Sequence, residues 1–236
     1  VSGGMTLTVS DDTGRDSSDR ITNDTSHVVS GTGPANAYVQ VFRGSADLGT
    51  VQADASGNWS LVSPLDATFN SGYGYRATAF DLAGNQVGSQ GQIIYTVDTE
   101  APNAPTIDLV ATSDSGALDT DNITRDTTPD LSGTAEANAS VEIFDGATSL
   151  GTTSADGSGV WTFTTPNLSD GVRALSAVAT DAAGNTSPAS STLSVTLDTV
   201  ISVTPTIDLV AGSDSGALDT DNITNDDTPT VTGTAE

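Results

Sequence analysis

Over residues 172–180, Leu175, Ala177 and Ala179 fall on one side of an extended chain while Ser176 and Thr180 fall on the other, with Val178 the apolar exception on the polar side. This period of two predicts a half-buried strand. The same pattern at Tyr75, Ala77 and Ala79 predicts a second one, and Leu193, Val195 and Leu197 match Ile93, Tyr95 and Val97 as inward positions of another pair. Short β-rich runs separated by Gly, Asp, Asn and Pro place strands near 106–110, 130–135, 140–145, 148–154, 160–165, 172–180 and 191–198. No helical period appears, so the chain reads as all-β.

The pattern also repeats at long range. Thr106 to Val110 returns at Thr206 to Val210, a period of 100 residues, and from 106–124 to 206–224 the single difference is Thr112 against Gly212. A more diverged copy precedes these, aligned through Ile21 with Ile123, Gly31 with Gly133, Trp59 with Trp161, Asp81 with Asp181 and Asp98 with Asp198. The expected organisation is a repeat over 1–101, a second over 102–201 and the truncated start of a third over 202–236. A unit of about seven strands and about 100 residues is the size of one β-sandwich. The chain reads as an internal piece of a longer array, its last part poorly ordered unless a neighbour supplies strands.

Composition narrows the picture. Hydrophobic residues make up 35% and aromatics 5%, so each core must be built mainly from Val, Ile, Leu and Ala. Trp59 and Trp161 sit among inward positions and are assigned to the core rather than to sugar stacking. With 31 acidic against 6 basic residues the formal charge is −25, which excludes a grip on nucleic acid and disfavours an anionic membrane surface. No apolar run is long enough to insert in a membrane as a helix. Without cysteine, neither disulfides nor thiolate metal sites are available. His27, the single histidine, sits next to Ser26, and neighbours on a strand face opposite ways, so no catalytic triad is expected and His27 reads as strand decoration. Carboxylate pairs in so acidic a chain say nothing about catalysis, and the chain is not expected to be an enzyme.

The acidic residues are clustered. Loops follow the first strand of each repeat, at 12–22, 114–124 and 214–224. Several aspartates around a glycine turn can supply the six to eight oxygens that Ca²⁺ requires. The candidates are Asp114, Asp119 and Asp121, then Asp214, Asp219 and Asp221, then Asp12 and Asp19 with Asp16 substituting where Ser17 replaces the middle carboxylate. The spacing is not that of an EF-hand. Asp, Ser and Gly also populate ordinary exposed turns, and that reading stays open. A chain running up one strand and down the next brings the first loop to the end from which the last strand leaves. Asp98 and Glu100 of the linker are therefore expected near Asp12 and Asp19, facing Asp181 of the next repeat, with Asp198 repeating the arrangement. Pro102 and Pro105 favour an extended linker and repeats arranged end to end, each adding on the order of 35–45 Å.

The stretches at 133–163, 176–187 and 97–105, with the recurring turns at 79–85 and 179–185, resemble the immunoglobulin-like repeats of giant bacterial adhesins, including RTX-type and biofilm surface proteins. The resemblance implies immunoglobulin-like sandwiches in tandem, Ca²⁺ in loops and at junctions, an extracellular, cell-surface setting, and neighbouring repeats of the same chain as partners. It also implies that a host or surface ligand is bound by other modules of the full protein. Two other readings stand beside a stalk role. One is a module that itself binds a glycan or protein, for which Phe69, Tyr73 and Phe80 are the hints; the other is an accessory repeat of a polysaccharide-active enzyme.

Overall fold

The computed structural model describes residues 4–9, 12–64, 71–200, 204–218 and 220–234. Among them there is no helix. The chain divides into two compact units, Val1–Leu197, which holds two sandwiches, and Asp198–Glu236.

The first sandwich is formed by β1 (Thr8–Val9), β2 (Ile21–Thr22), β3 (Ser26–Thr32), β4 (Tyr38–Arg43), β5 (Ala46–Gln52), β6 (Asn58–Pro64), β7 (Ser71–Phe80) and β8 (Gln86–Val97). One sheet has the order β1-β3-β6 and the other β2-β8-β7-β4-β5. The second repeats this with β9 (Asp108–Leu109), β10 (Ile123–Thr124), β11 (Asp130–Thr134), β12 (Ser140–Asp145), β13 (Thr148–Ser154), β14 (Val160–Thr164), β15 (Gly171–Thr180) and β16 (Leu193–Leu197), ordered β14-β11-β9 and β10-β16-β15-β12-β13. Both are immunoglobulin-like sandwiches. Neighbours pair antiparallel except β2 with β8 and β10 with β16, which run parallel.

The alternating positions assigned inward are the core. Tyr75, Ala77 and Ala79 in β7 and Leu175, Ala177 and Ala179 in β15 are fully buried, facing Val39 and Val41 or Val141 and Ile143 of the neighbouring strand. Such small side chains bring the sheets close, and one Trp per repeat fills the space that remains. Within the smaller sheet the packing requires glycine: a Cβ on Gly133 would lie 2.0 Å from the Thr106 carbonyl oxygen and 2.6 Å from the Trp161 ring, and Gly31 is hemmed in the same way by Thr6 and Trp59.

Two expectations need correction. Residues 123–124 and their counterparts 21–22 were expected within a loop, yet they form β10 and β2. Two residues are too few to show a period, and their pairing comes only from the last strand of the repeat running alongside. His27 is not surface decoration: it is fully buried, its Nδ1 3.1 Å from the Tyr75 hydroxyl and its ring against Tyr75 and Tyr95. Repeat two has Pro129, Leu175 and Val195 at these three places, so the polar core is peculiar to repeat one. Ser26 is exposed on the opposite face.

In the second unit β17 (Thr206–Leu209) and β18 (Val231–Thr234) form an antiparallel pair. Ile207 and Val231 are exposed there, whereas Leu131, the counterpart of Val231, is fully buried in repeat two.

Replacing Trp161 with Ala removes the largest buried side chain of repeat two and is expected to cost about 3–5 kcal/mol. Denaturant unfolding followed by Trp59 fluorescence should leave repeat one's transition largely in place, while circular dichroism shows repeat two unfolding early.

Candidate functional site

The acidic turns are organised by their own backbones. In each 81–85-type turn an aspartate gathers the following amides: Asp181 Oδ1 accepts from Asn185 N at 2.8 Å and Oδ2 from Asn185 Nδ2 at 2.8 Å, and Asp81 holds Asn85 in the same way. Asp98 and Asp198 each accept from the amide two residues on, at Glu100 and Val200. Asp16 accepts from the Ser18 amide and hydroxyl, which holds its carboxyl below the ordinary value.

The loops after the first strands follow one plan in all three repeats. Asp12, Asp114 and Asp214 accept through Oδ2 from the backbone amides of Arg20, Asn122 and Asn222, the last three in the left-handed region with φ of 65°, 56° and 58°. Asp19, Asp121 and Asp221 accept from the amides of Ile21, Ile123 and Ile223. In every copy the other oxygen, Oδ1 of Asp12, Asp114 and Asp214, is buried with no hydrogen-bond partner. Asp114 and Asp214 are each only 6% exposed. A buried carboxylate oxygen without a donor is costly, and its return at equivalent positions makes it a property of the loop.

Other hard oxygens belong to the same loop. The position a Gly116 Cβ would occupy is 2.8 Å from both Asp121 Oδ1 and the Ile123 carbonyl oxygen, and Gly216 has the same surroundings. The donor set is all oxygen and fits Ca²⁺. Among the described residues no three acidic or histidine side chains are gathered closely enough to hold an ion by themselves, so backbone carbonyls and water would have to complete any coordination shell. Asp119 is exposed in a turn, and Asp219 lies outside the described residues.

At the junction between the first two repeats the linker, the first loop and the turn at 181–185 touch one another. Asp98 N donates to the Thr22 carbonyl at 2.9 Å, which docks the start of the linker on the first loop. Across the joint, Asn185 Nδ2 donates to the Asp98 carbonyl at 2.9 Å, Arg15 N to the Ala182 carbonyl at 3.0 Å, and the Arg15 guanidinium to the Asn138 carbonyl at 3.0 Å. The contact is close: a Cβ on Gly14 would lie 2.6 Å from the Ala182 carbonyl oxygen.

Sequence reasoning missed two participants. Arg15 was overlooked because a single arginine in an acidic loop carries no pattern. Glu136 lines an acidic recess with Asp98, Glu100, Ala101, Pro102 and Asn103. Partial desolvation there, then repulsion from Asp181, Asp98 and Glu100, raises its carboxyl above the ordinary 4.5. A signal was available: Glu136 returns as Glu236, while repeat one has Pro34 at that place.

Tandem sandwiches locked through acidic turns define a modular repeat protein. The chain belongs to the bacterial Ig-like domain family, whose model matches residues 2–99, 101–199 and 201–236. No curated protein matches it. Among solved structures it is similar to a domain of a biofilm-associated protein, at 21% identity and a TM-score of 0.31 over 77% of this chain and 29% of that one. A 1.5-MDa bacterial ice-binding adhesin gives 22% and 0.39 over 83% of this chain and 64% of that one. A titin fragment gives 15% and 0.44 over 81% and 66%. At these values the likeness carries no argument about this chain.

A carboxyl with a raised folded value binds its proton more tightly in the folded state, so its contribution to stability falls as pH rises from the ordinary glutamate value through the folded one. Glu136→Gln is therefore expected to stabilise the chain at pH 7 in chelator, by about 0.5 kcal/mol after solvent screening, with the gain fading near pH 4. Thermal unfolding across pH 4–8 checks it.

Proposed function

We propose that this chain is a spacer segment from the stalk of a large bacterial surface adhesin, of the RTX type, stiffened by Ca²⁺ and serving attachment or biofilm formation outside the cell. The observation that carries the reading is the recurrence of one buried, unpartnered carboxylate oxygen on Asp12, Asp114 and Asp214, once in each repeat. An oxygen-seeking divalent cation would satisfy it and offset the surrounding negative charge. Asp121 with Asp114, Asp221 with Asp214, and Asp19 with Asp12 would supply the remaining side-chain oxygens. Asp98, Glu100 and Glu136 place further carboxylates at the joint.

The mechanical part of the reading rests on the joint. Three hydrogen bonds and a glycine contact span it. Uncompensated carboxylates would push its parts away from one another, and a cation would remove that repulsion, so joint stiffness follows ion occupancy. No catalytic residue is assigned. The partners are neighbouring repeats of the same chain, with host or surface ligands held by other modules.

Thermal unfolding at fixed ionic strength tests the reading. Saturating Ca²⁺, but not Mg²⁺, should raise the midpoint on the order of 10 °C over chelator. Small-angle scattering should show a stiffer particle. Asp114→Asn should remove repeat two's share of the rise. Equal midpoints in Ca²⁺ and chelator would leave the loops as ordinary solvated turns and sink the proposal.

A further inference from the structure

The two sandwiches share a backbone but differ on the outer face of the five-stranded sheet. In repeat one Tyr38 of β4 stands directly opposite Phe80 of β7 and Phe42 opposite Arg76. The Arg76 guanidinium lies 4.0 Å above the centre of the Phe42 ring. Between these two rungs Gln40 donates through Nε2 to Asp47 Oδ2 at 2.7 Å. Tyr38 is 39% exposed. Strand rise separates Tyr38 from Phe42 by roughly 13 Å, so rings stand at both ends of a flat strip with polar groups in its middle.

Folding does not require this arrangement. Repeat two builds the same sheet in the same register with Ser140 opposite Thr180 and Phe144 opposite Ser176, and it carries Glu142 where repeat one has Gln40. The Phe42 position is aromatic in both repeats, so what repeat one adds is the Tyr38–Phe80 pair, the arginine over Phe42 and an amide in place of Glu142. Phe42 and Phe80 are half-buried and Tyr38 is exposed, so their rings are open to solvent on one side.

From this strip we infer that the outer sheet face of repeat one is a binding platform for a neutral polysaccharide. The apolar faces of sugar rings would stack on Tyr38 and Phe80 at one end and on the Phe42–Arg76 pair at the other, while Gln40 and Asp47 meet hydroxyl groups between them. Charge selects the occupant. One arginine and one aspartate balance on the strip, so an uncharged polymer meets no local excess. A polyanion would be repelled by a chain of net charge −25, and a polycation would be drawn to the acidic loops instead. The platform is independent of the spacer reading, which rests on other loops and on Ca²⁺.

Native gel electrophoresis of the full chain in gels containing laminarin, dextran, galactomannan or hydroxyethyl cellulose tests the inference, with alginate and hyaluronate as charged controls. At least one neutral polymer should retard the chain. The double variant Tyr38→Ser with Phe80→Thr, which installs repeat two's own residues, should weaken that retardation about tenfold or more. Arg76→Ser should weaken it less. Saturation transfer from the polymer to tyrosine and phenylalanine ring protons of the unmodified chain gives a readout that needs no variant. No retardation by any neutral polymer, undiminished retardation of a folded double variant, or retardation by the charged polymers alone would overturn it. Self-association that the double variant abolishes, without polymer binding, would assign the face to a second copy of the chain and also overturn it.

Discussion

The close packing of strands around one glycine in the smaller sheet of each sandwich is the constraint on which the rest of the structure depends. There a Trp ring lies over Gly31 or Gly133, where a Cβ would collide with a neighbouring strand's carbonyl oxygen, while small residues such as Ala77 and Ala79, or Ala177 and Ala179, line the core side of the larger sheet. A core so low in aromatic bulk leaves little surplus stability. Many of the turns are held by local hydrogen bonds to aspartates, and others by serine and threonine hydroxyls such as Ser187 and Ser190.

That dependence ties composition to behaviour. Asp81, Asp54 and Asp226 accept several hydrogen bonds from their own turns and from nearby side chains, which keeps their carboxyls below the ordinary value of 3.8. Such groups stabilise the fold above that value and lose their contribution as pH falls beneath it. Glu136 works in the opposite sense, because it is partly desolvated and then set among carboxylates instead of amides. Aspartate thus builds the turns, while carboxylates gathered at the joint repel one another.

The joint and the outer sheet faces divide the work. Two of the three hydrogen bonds across the joint come from side chains, the Arg15 guanidinium and the Asn185 amide, so the joint depends on which residues stand there. The outer faces have no such duty. Tyr38 and Phe80 in one repeat and Ser140 and Thr180 in the next show how far they can diverge on one backbone.

The sequence by itself determined the all-β class, the 100-residue repeat, the inward positions of the long strands and the aspartates of each loop. These follow from periodicity and from residue types whose chemistry is local, as in Leu175-Ser176-Ala177 or the turn at Asp181. Tertiary structure alone decided the pairing of β10 with β16, because two residues carry no period and their partner lies more than seventy positions away. Only it buried His27, by setting it opposite Tyr75 and Tyr95. It also chose, between two aspartates of one loop, which would keep an unpartnered oxygen, and it brought Arg15 and Glu136 to the joint. Burial and electrostatic repulsion depend on distances across the folded chain, and no local pattern encodes those.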